Sequence, residues 1–379
     1  MKSNCKRLGD LINTVSVKNT DMITDDLRGV NYQKYFMPSV ANTIGVDLSG
    51  YKVIKNGQFA CNLMHVGRDK CLPVALHRDE KPIIVSPAYF SFEVKDESEI
   101  LSEFLFLWFK RAEFDREACF YTDADVRQGL IKSSFFDMKI PVPPIEEQRK
   151  IVAEYQAVER RIENNRRLIA TLESTAQTIY RKMFVDDIDS NNLPEGWEMG
   201  KLGDYVNLSQ GLQVEIEDQS LQQKVSYNRF IRIIDYTPGT KEPPRFVDIQ
   251  DKRYYCSEYE VSMIRYGDAG RVCRRLSGII ANNLFKVSPT EYLTNNYIYY
   301  YLNNKDNQRI IRGAAASSTM PAITHKTIKD LVCILPPREQ LNLFDELIDP
   351  IEKDILNHMY ESRALNSLLV LLLSTLSKN

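Results

Sequence analysis

Arginines and polar amides gather in three short stretches of the 379-residue chain. MIRYGDAGRVCRR at 263–275 sets Arg265, Arg271, Arg274 and Arg275 around a turn marked by Gly267 and Gly270. RFIRIIDY at 229–236 adds Arg229 and Arg232, and an earlier stretch carries Asn62, His65, Arg68, Lys70, His77, Arg78 and Lys81. A guanidinium fork matches guanine O6/N7 and phosphate oxygens, and an amide side chain matches an adenine edge. The chemistry within reach of these groups is therefore recognition of nucleic acid. Taken alone, such clusters are more often a solvated surface, and it is the repeat context that favours recognition.

Other chemistries find less support. Cys61, His65, Cys71 and His77 lie close together, but their C-x3-H-x5-C-x5-H spacing matches no standard zinc knuckle. No phosphate-binding loop, no dinucleotide fingerprint and no Asn-Pro-Pro-aromatic tetrad or glycine-rich S-adenosylmethionine loop occurs. With four histidines and no recognisable triad, hydrolysis is unsupported too. A binding protein with no catalytic residues, cofactor or metal of its own is the expectation. Net charge is −2 overall, 0 over 1–140 and +2 over 193–335, so any DNA-binding face must come from local clustering. Seven cysteines without a CxxC pair fit reduced thiols in a cytoplasm. The opening residues lack the apolar core of a signal peptide, and the apolar run at 365–376 is too short to span a bilayer. A cytoplasmic protein without a membrane partner is expected.

The elements that would carry the clusters are duplicated. KRLGDLIN at 6–13 returns as GKLGDYVN at 200–207, and ILSEFLFLWF at 100–109 finds its counterpart in YLTNNYIYYYLNN at 292–304. SSFFDMKIPVPP at 133–144 matches KTIKDLVCILPP at 326–337, and PPIEEQ at 143–148 matches PPREQ at 336–340. The order is the same and the offset stays near 193. After each Pro-Pro pair the pattern becomes helical, with proline and acidic residues suited to a first turn. One apolar seam runs Ile151, Tyr155, Val158, Ile162, Asn165, Ile169, Leu172, Ala176, Ile179, Met183. The other runs Leu341, Phe344, Ile348, Ile351, Ile355, His358, Ser362, Leu365, Leu369, Leu372, Leu376. Alternating steps of three and four specify a coiled coil. Each helix would extend roughly 60 Å at about 1.5 Å per residue. A pseudo-twofold would run the two antiparallel and bring the polar breaks Asn165 and His358 within about a turn of each other, fixing register. Pro350 predicts a kink or a late start in the second helix.

The fold class that follows is α+β: two tandem α/β domains, at 1–142 and 193–335, separated by two long antiparallel helices at 143–192 and 336–379. Within the modules, 59–64, 89–94, 230–235, 259–264 and 283–287 read as strands and 100–120 as one helix. The middles of the modules resemble each other little, which gives one frame two different surfaces.

The module ending IPVPPIEEQRKIV, the heptad helix, the Leu-Pro-x-Gly-Trp opening at 193–197 and SSTMPAI at 317–323 together resemble the specificity subunits of type I restriction–modification enzymes. The first module lacks that opening and has DADVRQGLI at 123–131 in place of SSTMPAI. The resemblance implies two target recognition domains reading an asymmetric, bipartite duplex DNA sequence in the major groove. The helices would set the unread gap and dock two methyltransferase subunits, which hold S-adenosylmethionine and flip the target adenine. Restriction motor–nuclease subunits would complete the complex. The implied DNA-binding set adds Arg127, Gln128, Ser317, Ser318 and Thr319 to the basic and polar stretches. Competing readings are a tandem adaptor whose coiled coil scaffolds other proteins, and a piece of a self-contained restriction–methylation enzyme.

Overall fold

The computed structural model describes residues 5–39, 45–122, 129–237, 240, 242–316 and 322–376, with the backbone alone at positions 65 and 316. Contacts divide the chain into two units, Met1–Asn164 with Glu361–Asn379, and Asn165–Tyr360.

In the first unit, four strands pair antiparallel in the order Ile12–Thr14, Phe90–Val94, Gln58–Cys61, Val74–Leu76. In the second, the order Val206–Gln210, Leu284–Pro289, Val261–Ile264, Val272–Cys273 repeats the same topology. Each unit also pairs an entering strand with a leaving one. Cys5–Arg7 lies along Lys139–Pro141, and Glu198–Lys201 along Val332–Leu335. Helices Ser102–Phe109 and Ala112–Phe120 pack in the first core, where Asn295–Asn303 and Lys305–Ala316 stand in the second. The first core is phenylalanine-rich: Phe59 stacks on Phe92 at 4.8 Å, and Phe104, Phe106, Phe109 and Phe135 are buried around them. The second packs Tyr180, Phe184, Tyr297, Tyr300 and Phe344. Full burial of each such ring contributes on the order of 1.5–3 kcal/mol.

The duplicated frames carry unlike additions. The first unit adds a three-stranded antiparallel sheet, Val17–Lys18, Lys52–Ile54 and Ile83–Val85, and a hairpin of Arg28–Val30 with Phe36–Pro38. The second adds a four-stranded mixed sheet, Arg245–Val247, Asn228–Ile231, Gly278–Ile280 and Tyr255–Cys256, whose central pair is parallel. Gly278 is required there, because at φ +150° a Cβ would sit 2.2 Å from the Arg229 carbonyl oxygen.

The long helices run Ile145–Phe184 and Arg338–Thr375. Every position of both expected seams is buried or half-buried. In the first unit, Ile151, Tyr155 and Val152 share a core with Leu369, Leu372 and Leu376, and Arg161 pairs with Glu361 at 2.8 Å. In the second, Tyr180 and Phe184 meet Phe344, while Glu173, earlier on the first helix, and Glu352, later on the second, are joined through Arg275. In each unit, contacts that advance along one helix retreat along the other, so the segments are antiparallel.

Several expected boundaries shift. The strand over 59–64 stops at Cys61, because the Asn62 side chain caps a short 3-10 turn by accepting from the Met64 N–H. The helix over 100–120 is two, broken where Arg111 takes extended backbone angles. The strand over 230–235 ends at Ile231, after which Asp235 accepts from the Arg232 N–H and closes a turn. Pro350 does not delay the second helix, which is continuous through it. Pro350 and Glu346, whose carbonyl loses its donor, both face solvent, so water can take the orphaned oxygen.

Candidate nucleic-acid interface

The ribbon Val261–Ile264/Val272–Cys273 ends in the turn that the sequence singled out. Gly267 and Gly270 take φ +80° and +90° there, and a Cβ on Gly270 would meet Ile311 at 2.6 Å. Arg265 donates to Gln210 Oε1 at 3.2 Å and lies over the Tyr266 ring at 4.9 Å. Arg271 donates to the Tyr236 carbonyl at 2.9 Å, and Asp268 is shared between Arg271 and Arg312 at 3.7 and 3.2 Å. Tyr266 bridges Ala322, and the Ile323 N–H donates to the Arg265 carbonyl at 3.0 Å. The turn is thus joined to the chain leaving the SSTMP stretch. Ser317, Ser318 and Thr319 themselves lie outside the described residues, as do Arg127 and Gln128.

The first unit repeats this junction. Leu130, just past 123–128, donates its N–H to the Leu63 carbonyl at 2.8 Å, and Thr122 bridges Leu130. Arg68 pairs with Asp69 at 2.7 Å, and Lys70 adopts φ +51° on an exposed turn. Arg78 is held by both oxygens of Glu103 at 2.7 Å and covers the Phe106 ring, so packing already engages it. Lys81 is exposed, and its carbonyl is hydrogen-bonded to His77 Nε2 at 2.8 Å. The His65 side chain is not described.

Arg274 and Arg275 require a correction. Both are buried and bound to acids and amides inside the second unit, so they cannot face DNA as expected. A turn dense in arginine gave no means of separating the outward pair from the inward one. Arg229 and Arg232 converge on buried Asp235 at 3.0 and 3.1 Å, which organises their loop while leaving them partly exposed. Asn165 is fully buried and His358 half-buried, both in the second unit.

Other side chains join the site without having been singled out. Gln213 and Asn282 are hydrogen-bonded to each other beside Gln210, placing three amides at the Arg265 end of the sheet. In the first unit, Phe120 is 82% exposed and packs edge-on to Tyr121, immediately before residue 123, with Met64 also exposed. Neither feature has a periodic signature in sequence. His325 is held below its usual range by burial and by the charges of Arg265 and Lys329, which marks this edge of the second unit as cationic. Burial pushes the Cys256, Cys273 and Cys333 thiols up to about 12, so they behave as core residues. Among the described residues no group of three or more histidine, cysteine or acidic side chains could hold a metal, and no helix is long and apolar enough to cross a membrane.

The repeated strand order defines a tandem-repeat α+β protein. Residues 3–174 match the family model described as the type I restriction modification DNA specificity domain. The type I restriction enzyme MjaIX specificity subunit of Methanocaldococcus jannaschii is 22% identical over 313 residues, covering 76% of this chain and 71% of that one. The crystal structure of a type I restriction–modification system S subunit from M. genitalium aligns over 99% of this chain and 96% of that one, with TM-score 0.59 and 14% identity. That last likeness is one of fold.

Proposed function

We propose that this chain is the DNA sequence-specificity subunit of a type I restriction–modification complex, reading a bipartite, asymmetric target with two recognition domains. One observation carries the reading: two frame sheets of identical strand order bear inserted sheets of different topology. A repeated frame suits repeated partners, and unlike inserts suit unlike half-sites. Recognition domains at 1–142 and 193–335 each offer a turn joined to the chain that follows a polar stretch of sequence, the second with Arg265, Arg271 and three amides for base edges. The helices at 143–192 and 336–379 set the gap and seat two methyltransferase subunits, which bring S-adenosylmethionine. Motor–nuclease subunits join for restriction. The chain performs no chemistry of its own and works in the cytoplasm. Its near-neutral charge is consistent with partners that supply much of the phosphate contact.

Co-expression with a candidate methyltransferase subunit, followed by genome-wide mapping of adenine methylation, tests this directly. One asymmetric motif split by a fixed gap is expected. A stable complex that leaves no bipartite methylated motif overturns the reading.

A further inference from the structure

The ribbon that carries the candidate turn at one end carries two buried arginines at the other. Arg275 adopts φ +73°, a left-handed conformation that is strained for a residue with a Cβ. From there its guanidinium grips Glu352 of the second long helix with Nε at 2.9 Å and Nη2 at 3.0 Å. It also bonds Glu173 of the first long helix. Arg274 stands 3.5 Å from the same Glu352 carboxylate and donates to Asn296 at 2.8 Å. The Tyr300 hydroxyl donates to Glu352 at 2.5 Å. Asn296 in turn donates to Asp345 and Asp349 of the second helix at 2.9 and 2.8 Å. One carboxylate, 1% exposed, thus receives three groups of the module.

The first unit is built differently at the matching places. Glu159, 193 residues before Glu352, takes a single lysine, Lys110 at 2.7 Å, and is 38% exposed. Strand register sets His77 where Arg275 stands, since Ala75 faces Ala60 as Cys273 faces Ser262. His77 turns to a backbone carbonyl instead of a helix acid. A buried ion pair rarely adds stability over an apolar filling; its best-attested use is to impose one geometry. The strained Arg275 backbone and the convergence on one acid fit that use.

We propose that Glu352, with Arg275, Arg274, Tyr300 and Glu173, is a positioning clamp that locks the second module's ribbon onto its helices and so sets how strictly the complex measures the unread gap. This rests on the specificity-subunit reading. The clamp touches no base and leaves half-site sequence preference alone. It governs only the tolerance for a gap one base longer or shorter.

The test maps methylation by the full chain with its methyltransferase partner, for wild type, Glu352→Gln, Glu173→Gln and Glu159→Gln. In Glu352→Gln, the ratio of off-gap to correct-gap methylation rises on the order of tenfold, with both half-site sequences unchanged. Glu173→Gln gives a smaller rise, and Glu159→Gln leaves the ratio at the wild-type value. Should Glu352→Gln fail to fold, Glu173→Gln, at a half-exposed position, decides in its place. Unchanged gap stringency in folded variants, or equal loosening by Glu159→Gln, overturns the clamp while leaving the specificity reading intact. A wild-type complex without any bipartite motif overturns both.

Discussion

Arg271 and Arg275 are four residues apart on one ribbon, yet they meet opposite environments. Arg271 is bound by one carbonyl and a distant carboxylate, an arrangement that a guanine edge or phosphate can replace. If Arg271 reads a base, Arg271→Ala relaxes specificity at one position of one half-site; a phosphate contact weakens binding to all sequences uniformly. Methylation motifs of the variant separate the two outcomes. Arg275→Ala instead strands Glu352 in the interior and costs about 3–5 kcal/mol of folding stability, read by denaturant unfolding. The same carboxylate predicts a pH dependence. Burial alone would raise it, but the hydrogen bond from Arg275 and the charges of both arginines outweigh burial and hold it below 4.5. A depressed carboxylate contributes stability that is full above its unfolded value of about 4.3 and is lost as pH falls through the lower folded value. Thermal melts of wild type and Glu352→Gln therefore converge as pH drops below that range. Chain chemistry showed that arginines gather at 263–275, but whether a ribbon residue faces in or out depends on its register, which a turn of that composition does not fix.

The long helices were the most legible elements, because an apolar step of three or four residues repeats over their whole length. Their depth of burial was less so. Val152 and Tyr180 are buried although neither belongs to the seam, since the ends of the helix also serve the cores of the modules and need a wider apolar stripe. Short elements were harder to place. Asn62 and Arg111 end a strand and a helix through one cap and one extended residue, signals no longer than a single position. Two element-scale outcomes follow. Phe344→Ala, at a ring packed against Tyr180, Phe184 and Tyr300, costs about 3–5 kcal/mol in chemical denaturation. Pro350→Ala, at an exposed position inside a continuous helix, restores a backbone donor and stabilises by about 1–3 kcal/mol in the same assay.

At the scale of the whole chain, the shared strand order with unlike inserts implies that the two surfaces are exchangeable separately. Replacing 212–281, with Arg274 and Arg275 retained, by the corresponding stretch of a protein that matches the same family model is expected to change one half of the methylated motif and preserve the other half and the gap. The frame that makes this possible could be read from four repeated segments, whereas the inserted sheets could not, because their strands of two to four residues carry too little alternation. The seam in the first unit has a consequence for biosynthesis. Val152 and Tyr155 are covered with the help of Leu369, Leu372 and Leu376, which the ribosome adds only after the entire second unit has been made. The module translated first is thus the last to be finished. Its helix keeps an open apolar edge until those three leucines have been made.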